Sequence, residues 1–163
     1  HHLRGVMHAD APDHSTLRHL IETSYRPETV VFVPSEVPFE AILCAADVLF
    51  IPDDGDFATT CVAWAMAAGV LVIAAAGYCI AEIIAHKHNG LLYKRRAEAG
   101  VVVAIAECFG ETALVPGILE VARGQAYEVF GLKSFVDLHL RLYDNLLAGR
   151  AVADGIADSA VVA

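Results

Sequence analysis

Three carboxylates stand within four positions, at Asp53, Asp54 and Asp56, and Thr59 and Thr60 follow closely. An acidic loop of this kind can accept hydrogen bonds from hydroxyl groups or hold a divalent cation. It can equally be a solvated loop beside the positive end of the next helix. Thr59 and Thr60 open that helix, where N–H groups can receive a phosphate or be capped. His86 and His88 stand two apart, a spacing that separates two rings on a helix and brings them together on a strand. A metal site needs further ligands that the sequence does not place. Both are read as surface histidines, and no metal is expected. Lys94, Arg95 and Arg96 form a basic cluster, read as a solvated turn, with a phosphate or an acidic partner as its alternative.

The chain has 163 residues, of which 56% are hydrophobic and 19% charged. That length fits one domain, able to bury roughly 70% of its unfolded surface, and the composition excludes a disordered chain. Eleven Lys and Arg face twenty Asp and Glu, leaving a net charge of −9. Such a balance argues against a nucleic-acid binder, which needs a basic face, and against docking on anionic lipid. Cys44, Cys61, Cys79 and Cys108 form no C-x-x-C, and each lies in an apolar stretch. They are read as reduced, buried thiols of a cytoplasmic protein. No signal peptide is expected; the sequence does not begin with Met, and His1-His2 resembles the remnant of a tag. Further sequence upstream is expected.

The elements that must position these residues follow from apolar patterning. Residues 57–81 hold no charge and are long enough to span a bilayer, yet their texture is that of a helix, a stop at Gly69 and a β-branched strand. A membrane span is therefore not expected. Strands are expected at 5–9, 30–33, 47–52, 70–73 and 90–93, with helices at 15–24, 38–45, 60–68, 80–86, 97–109, 116–129 and 133–147. Leu17, Leu20 and Ile21 should share one helical face, and Phe135, Leu138, Leu142 and Leu146 another. Trp64 is expected in the core. Alternation of strands and helices predicts an α/β fold, a Rossmann-like three-layer sandwich with a mostly parallel sheet. Strands near 30–33, 47–51 and 70–74 should be central and nearly fully buried, since they lack polar alternation. One domain is expected over residues 1–148, with a loose tail over 149–163. Ligands of such sheets bind at the carboxyl ends of strands, here the loops 9–14, 34–38, 52–60 and 74–80.

The order of these segments resembles a known family. Ala45-Ala46-Asp47-Val48-Leu49-Phe50-Ile51-Pro52, the acidic loop, Ala65-Met66-Ala67-Ala68-Gly69-Val70-Leu71-Val72-Ile73-Ala74, Ala81-Glu82-Ile83-Ile84 and Asn89-Gly90-Leu91-Leu92 stand in series. The series resembles the C-terminal, nucleotide-sugar donor domain of GT-B glycosyltransferases, in particular the retaining family four that includes sucrose synthases and many hexosyl- and mannosyltransferases. The likeness runs over nearly all of residues 4–148. It implies that Asp56, Thr59, Thr60 and Glu82 are the candidate donor-binding residues. The substrate would be a nucleoside-diphosphate sugar, with no further cofactor. No catalytic residue is assigned.

Departures from the family pattern are specific. The family carries two Glu eight positions apart, one meeting sugar hydroxyls and one the ribose; here Asp56 and Trp64 stand there. Indole only donates, so Trp64 cannot accept from two vicinal hydroxyls. Tyr78 and Cys79 replace paired glycines that let backbone N–H groups approach phosphate. With the partner acid changed, the acidic trio is read as a solvated loop in preference to a ligand site. Glu82 is the best-kept position, with a role at the helix start as its alternative. An upstream strand with an Arg and a Lys for the diphosphate, and the N-terminal acceptor domain, are expected to lie outside this chain. Two readings follow: the donor-binding half of a hexosyl-transferring enzyme, incomplete and inactive alone, or a non-catalytic glycosyltransferase-like module for protein interaction or oligomerisation. A flavodoxin-like regulatory domain is disfavoured, because Asp47 lies at the start of its strand. Nucleoside diphosphate binding is expected to be weaker than about 100 μM, or absent.

Overall fold

The structure, a computed structural model, describes residues 4–8, 14–24, 26–52, 55, 57–110 and 113–150. The chain divides into two compact units, residues 1–42 and 43–163. In the first, β1 (Gly5–His8) and β2 (Val30–Val33) pair in parallel, Gly5 opposite Val30 and His8 opposite Val33. Parallel neighbours need a crossover, which α1 (His14–Glu22) and a 3-10 turn at Pro27–Thr29 supply. The Arg18 guanidinium lies 4.3 Å from the centroid of the Phe32 ring. Leu17 and Ile21 are half-buried, whereas Leu20 is exposed. The expected apolar face of α1 is thus narrower than its sequence suggests.

The second unit holds β3 (Val48–Ile51), β4 (Leu71–Ala75) and β5 (Leu91–Tyr93), all parallel, in the order β3-β4-β5. Between them run α3 (Ala58–Ala68) and α4 (Tyr78–Ile83). After β5 come α5 (Glu98–Gly110), α6 (Val115–Phe130) and α7 (Leu132–Leu147). The remaining helix, α2 (Phe39–Cys44), spans the division between units and buries Leu43. The uncharged stretch is thus helix, turn and strand, as its texture predicts. No single helix among the described residues is long and apolar enough to cross a membrane. The observed class is α/β with parallel sheets.

Leu71, Ile73 and Ala75 of β4 form one core cluster with Leu91, Tyr93, Ala104, Cys108 and Ile118. Successive strand residues point to opposite faces, so Val72 and Ala74 look the other way, and they are buried too. Each fully buried aliphatic side chain contributes about 1.5–3 kcal/mol. Gly69 ends α3 in the left-handed region, φ +76, with its N–H bonded to Ala65 and Met66 carbonyls. A Cβ there would overlap the Arg123 guanidinium.

Several sequence expectations need correction. Of the three strands expected to be nearly fully buried, only β4 is; Val31 in β2 is 48% exposed and Phe50 in β3 is exposed. The reason is position: β4 lies between two strands, while β2 and β3 stand at the ends of their sheet orders. Cys108 is buried, but Cys44 and Cys79 are exposed and Cys61 lies between; none of the four is in a disulfide. Among the described residues α7 buries none, so Phe135 and Leu146 face solvent rather than a core. Residues 151–163 of the expected tail lie outside the described residues.

Candidate functional site

The carboxyl edge of the three-stranded sheet is fixed by register. Ile51 pairs with Ala74, and Ala75 with Tyr93, so the three strands end together. The loop after β3 leads into α3. There the Ala58 N–H donates to the Gly55 carbonyl at 2.9 Å, and the Cys61 N–H to Phe57 at 3.1 Å. Phe57 is the N-cap and makes no side-chain cap bond. Thr59 and Thr60 lie inside the first turn of α3 and are half-buried, so neither is the N-cap residue. The N–H groups of such a turn have no intrahelical acceptor and aim outward at the sheet edge. Asp53, Asp54 and Asp56 lie outside the described residues.

Along α3, Val62, Ala65 and Met66 are buried on one face. Trp64 lies about 200° around the helix from Val62. It is 37% exposed, not a core residue as expected, and its ring stacks edge-on to exposed Phe57 at 5.7 Å. Apolarity all round this helix hid which face turns inward. Phe57 was not singled out by sequence reasoning; its pairing with Trp64, seven positions on, is visible only once the inner face is known.

After β4 the chain turns at buried Gly77, whose extended backbone caps α4 without a side-chain bond. Tyr78 is 92% exposed and Cys79 is exposed, so both project away from the packed turn. Glu82 is exposed in the last turn of this six-residue helix, too late to cap its start as the plain reading had it. The structure therefore brings Thr59, Thr60 and the start of α4 to one sheet edge, with Glu82 a turn further on. Pro34–Glu36 follow β2 in the first unit, where the Val37 N–H donates to Pro34 at 3.1 Å.

Asn89 is a buried polar residue with a positioning role that sequence reasoning passed over. Its Oδ1 accepts from the Ala85 N–H at 2.8 Å, and its Nδ2 donates to the Ile83 carbonyl at 2.9 Å and to Gln125 Oε1. These bonds tie the end of α4 to α6. His86 is held as well: its Nδ1 accepts from the Leu92 N–H at 3.0 Å. Among the described residues no group of three His, Cys, Asp or Glu is placed to hold a metal ion. Burial pushes the Cys61 thiol up, partly offset by a backbone hydrogen bond. Burial also raises Cys108, with the Asp47 carboxylate adding to it, and raises Tyr93.

Comparison with solved structures places this fold. A glycosyltransferase from Rickettsia africae, 18% identical, superposes with a TM-score of 0.79 over 89% of this chain and 40% of its own. Anabaena HepE in complex with UDP, 19% identical, gives a TM-score of 0.71 over 90% of this chain and 41% of its own. The C-terminal domain of the group 1 glycosyl transferase LpcC from Francisella tularensis, 17% identical, gives 0.63 over 75% of this chain and 66% of its own. The chain spans about two fifths of the length of the first two structures. No curated protein sequence matches it. The family model described as glycosyl transferases group 1 matches residues 2–111, which include β1 to β5 and the helices α3 to α5 that follow the strands of the second unit. With more than half of its length matched, and the fold of GT-B glycosyltransferases, the chain belongs to the group 1 glycosyl transferases.

Proposed function

We propose that this chain is the donor-binding half of a nucleotide-sugar-dependent glycosyltransferase of the retaining family four, acting in hexosyl transfer in the cytoplasm. The observation that carries this reading is the family match across the whole carboxyl edge, from the strand before the acidic loop to the strand after α4. Asp56, Thr59, Thr60 and Glu82 are its donor-binding residues. HepE, a structural relative, has been solved with UDP and with UDP-glucose. In this reading α3 N–H groups receive the diphosphate, and fixed dipoles stabilise the charge that develops as the nucleoside diphosphate departs. Residues 1–148 act as one domain whose acceptor partner is another domain or chain. Alone it transfers no sugar, because positioning the acceptor is much of the catalysis available.

A second reading, a non-catalytic module for protein interaction or oligomerisation, is favoured by a specific observation. Trp64 occupies the position of the ribose-binding acid and faces outward beside Phe57. Exposed apolar residues on α7, among them Leu132, Phe135 and Leu147, point the same way. Titration with UDP, GDP and ADP and their sugars, followed by amide NMR, separates the two. Binding weaker than ~100 μM that moves amides at 57–60 and 77–82 supports a residual donor site. No shift at millimolar ligand supports the module. Submicromolar binding overturns the expectation of weak binding, and turnover above the no-enzyme control overturns the expectation of inactivity.

A further inference from the structure

Among the described residues of the second unit, the core encloses the polar side chain of Asn89, 2% exposed. Burying an amide is costly unless its groups are paired, and here they are. Nδ2 donates to the Ile83 carbonyl at 2.9 Å and to Gln125 Oε1, and Oδ1 accepts from the Ala85 N–H at 2.8 Å. Gln125, half-buried on α6, turns its own Nε2 toward the same Ile83 carbonyl, at 3.4 Å. The last carbonyl of α4 thus takes two amide donors, one from the loop that follows and one from α6. The loop is bent to bring Asn89 there. Lys87 takes the left-handed backbone, φ 64, and its N–H donates to the Gly90 carbonyl at 2.8 Å. That backbone is strained in a residue other than glycine and persists only where the surroundings over-determine it. They do so here: Lys87 Nζ lies 3.3 Å from Glu107 Oε1 on α5. Gly90 passes so close to Ile84 and the Val72 carbonyl that a Cβ would meet them at 3.0 and 3.2 Å. Glu82 stands exposed immediately before Ile83, and the start of α4 has no side-chain cap.

We propose that Asn89 and Gln125 are positioning residues for Glu82, clamping the last turn of α4 to α6 so that the Glu82 carboxylate stands where hydroxyl groups of a nucleotide sugar reach it. The proposal rests on the donor-binding reading above for its ligand; the clamp itself does not. Ile80 and Ile84 hold the inner face of α4 by burial. Burial is non-directional, so it keeps the helix on the core without fixing its rotation. Hydrogen bonds at the Ile83 carbonyl are directional and supply what burial lacks. The geometry also selects residue types. Aspartate at 89 would lack both donors and set its oxygens against the Ile83 carbonyl, and glutamine would add a methylene to a packed site. At 125 an acceptor must face Asn89, so glutamate serves where leucine does not.

The test combines amide hydrogen exchange with an NMR titration of the whole chain by UDP-glucose. Within α4 the Ile84 N–H bonds to Ile80, and the Ala81 N–H bonds to Gly77 at its start. Gln125→Leu keeps the bulk and removes the amide, and should speed exchange of these two groups about tenfold relative to the β4 amides. Gln125→Glu should keep most of the protection. Asn89→Ala should act in the same direction and further, and Gln125→Leu decides the matter where that variant fails to fold. Ile118→Val, on the core face of α6, lowers stability without touching the clamp and should leave the exchange ratio unchanged. UDP-glucose affinity should fall about threefold or more in Gln125→Leu, and far less when Glu82→Gln is already present. An unchanged exchange ratio in Gln125→Leu, or equal loosening by Ile118→Val, overturns the clamp. Unchanged affinity in Gln125→Leu, or an equal loss in the Glu82→Gln background, overturns the positioning of Glu82. No UDP-glucose shift at 57–82 in the unmodified chain overturns the donor reading, and the exchange ratio then decides the clamp alone.

Discussion

Two strands of nearly the same chemistry meet different fates in this molecule. β2 reads Val-Val-Phe-Val and β4 reads Leu-Val-Ile-Ala-Ala, both continuous apolar runs. Every residue of β4 is buried, and none of β2 is. β4 has a strand on each side and apolar helices against both faces, whereas β2 pairs with β1 alone among the described residues. A continuous apolar run reports strand conformation, but burial depends on what covers the strand. The same lesson holds within α3, where a helix apolar all round buries Val62, Ala65 and Met66 and leaves Trp64 at the surface.

The largest expected effect tests that contrast directly. Ile73→Ala should lower stability by about 2–5 kcal/mol in urea unfolding, because β4 has no route to collapse around the lost methyls. Val31→Ala in β2 should cost about 1 kcal/mol or less. Equal costs would erase the distinction between the two strands.

Gly69→Ala comes next. The residue would sit at φ +76 with its Cβ against the Arg123 guanidinium, and should lose about 1–3 kcal/mol. Arg123→Ala in that background should recover the contact part and leave the backbone part. Gly5→Ala in β1 meets only ordinary contacts with Thr29 and Val30, the nearest at 3.5 Å, and should change the melting midpoint little.

Trp64→Glu places a carboxylate where the proposed reading puts the ribose-binding acid. Since the indole is exposed, the change should cost about 1 kcal/mol, the loss of its ring contact with Phe57, and not the larger penalty of burying a carboxylate. Nucleotide affinity should stay weaker than about 100 μM, because one acid does not rebuild a site. Submicromolar UDP binding by this variant would show that Trp64 alone disables it.

The smallest effects are in pH dependence, and they differ in sign between the two units. Tyr93, Cys61 and Cys108 hold their protons more tightly when folded, through burial. The unfolded chain releases them first, so stability of the second unit should fall as pH rises past about 9. In the first unit Glu28 is held below its ordinary value by a backbone hydrogen bond and by Arg26. Its small contribution is present at neutral pH and fades as pH falls through the carboxylate range. Denaturant midpoints measured from pH 3 to 10 check both slopes.

The sequence by itself determined the order and kind of nearly every element. Gly69 had to end α3 because only glycine takes its left-handed cap without strain, and Val70 to Ile73 had to be extended because β-branched side chains crowd a helix. These are local matters, settled within a few residues. Only the tertiary structure decided which apolar runs were covered, that Trp64 faces outward, that Cys44 and Cys79 are exposed, and that Lys94–Arg96 emerge beside the turn into α4. Such facts depend on strand order and on which helix lies against which face. They join residues nearly twenty positions apart through a single register, Ala75 against Tyr93, which no pattern within either segment encodes.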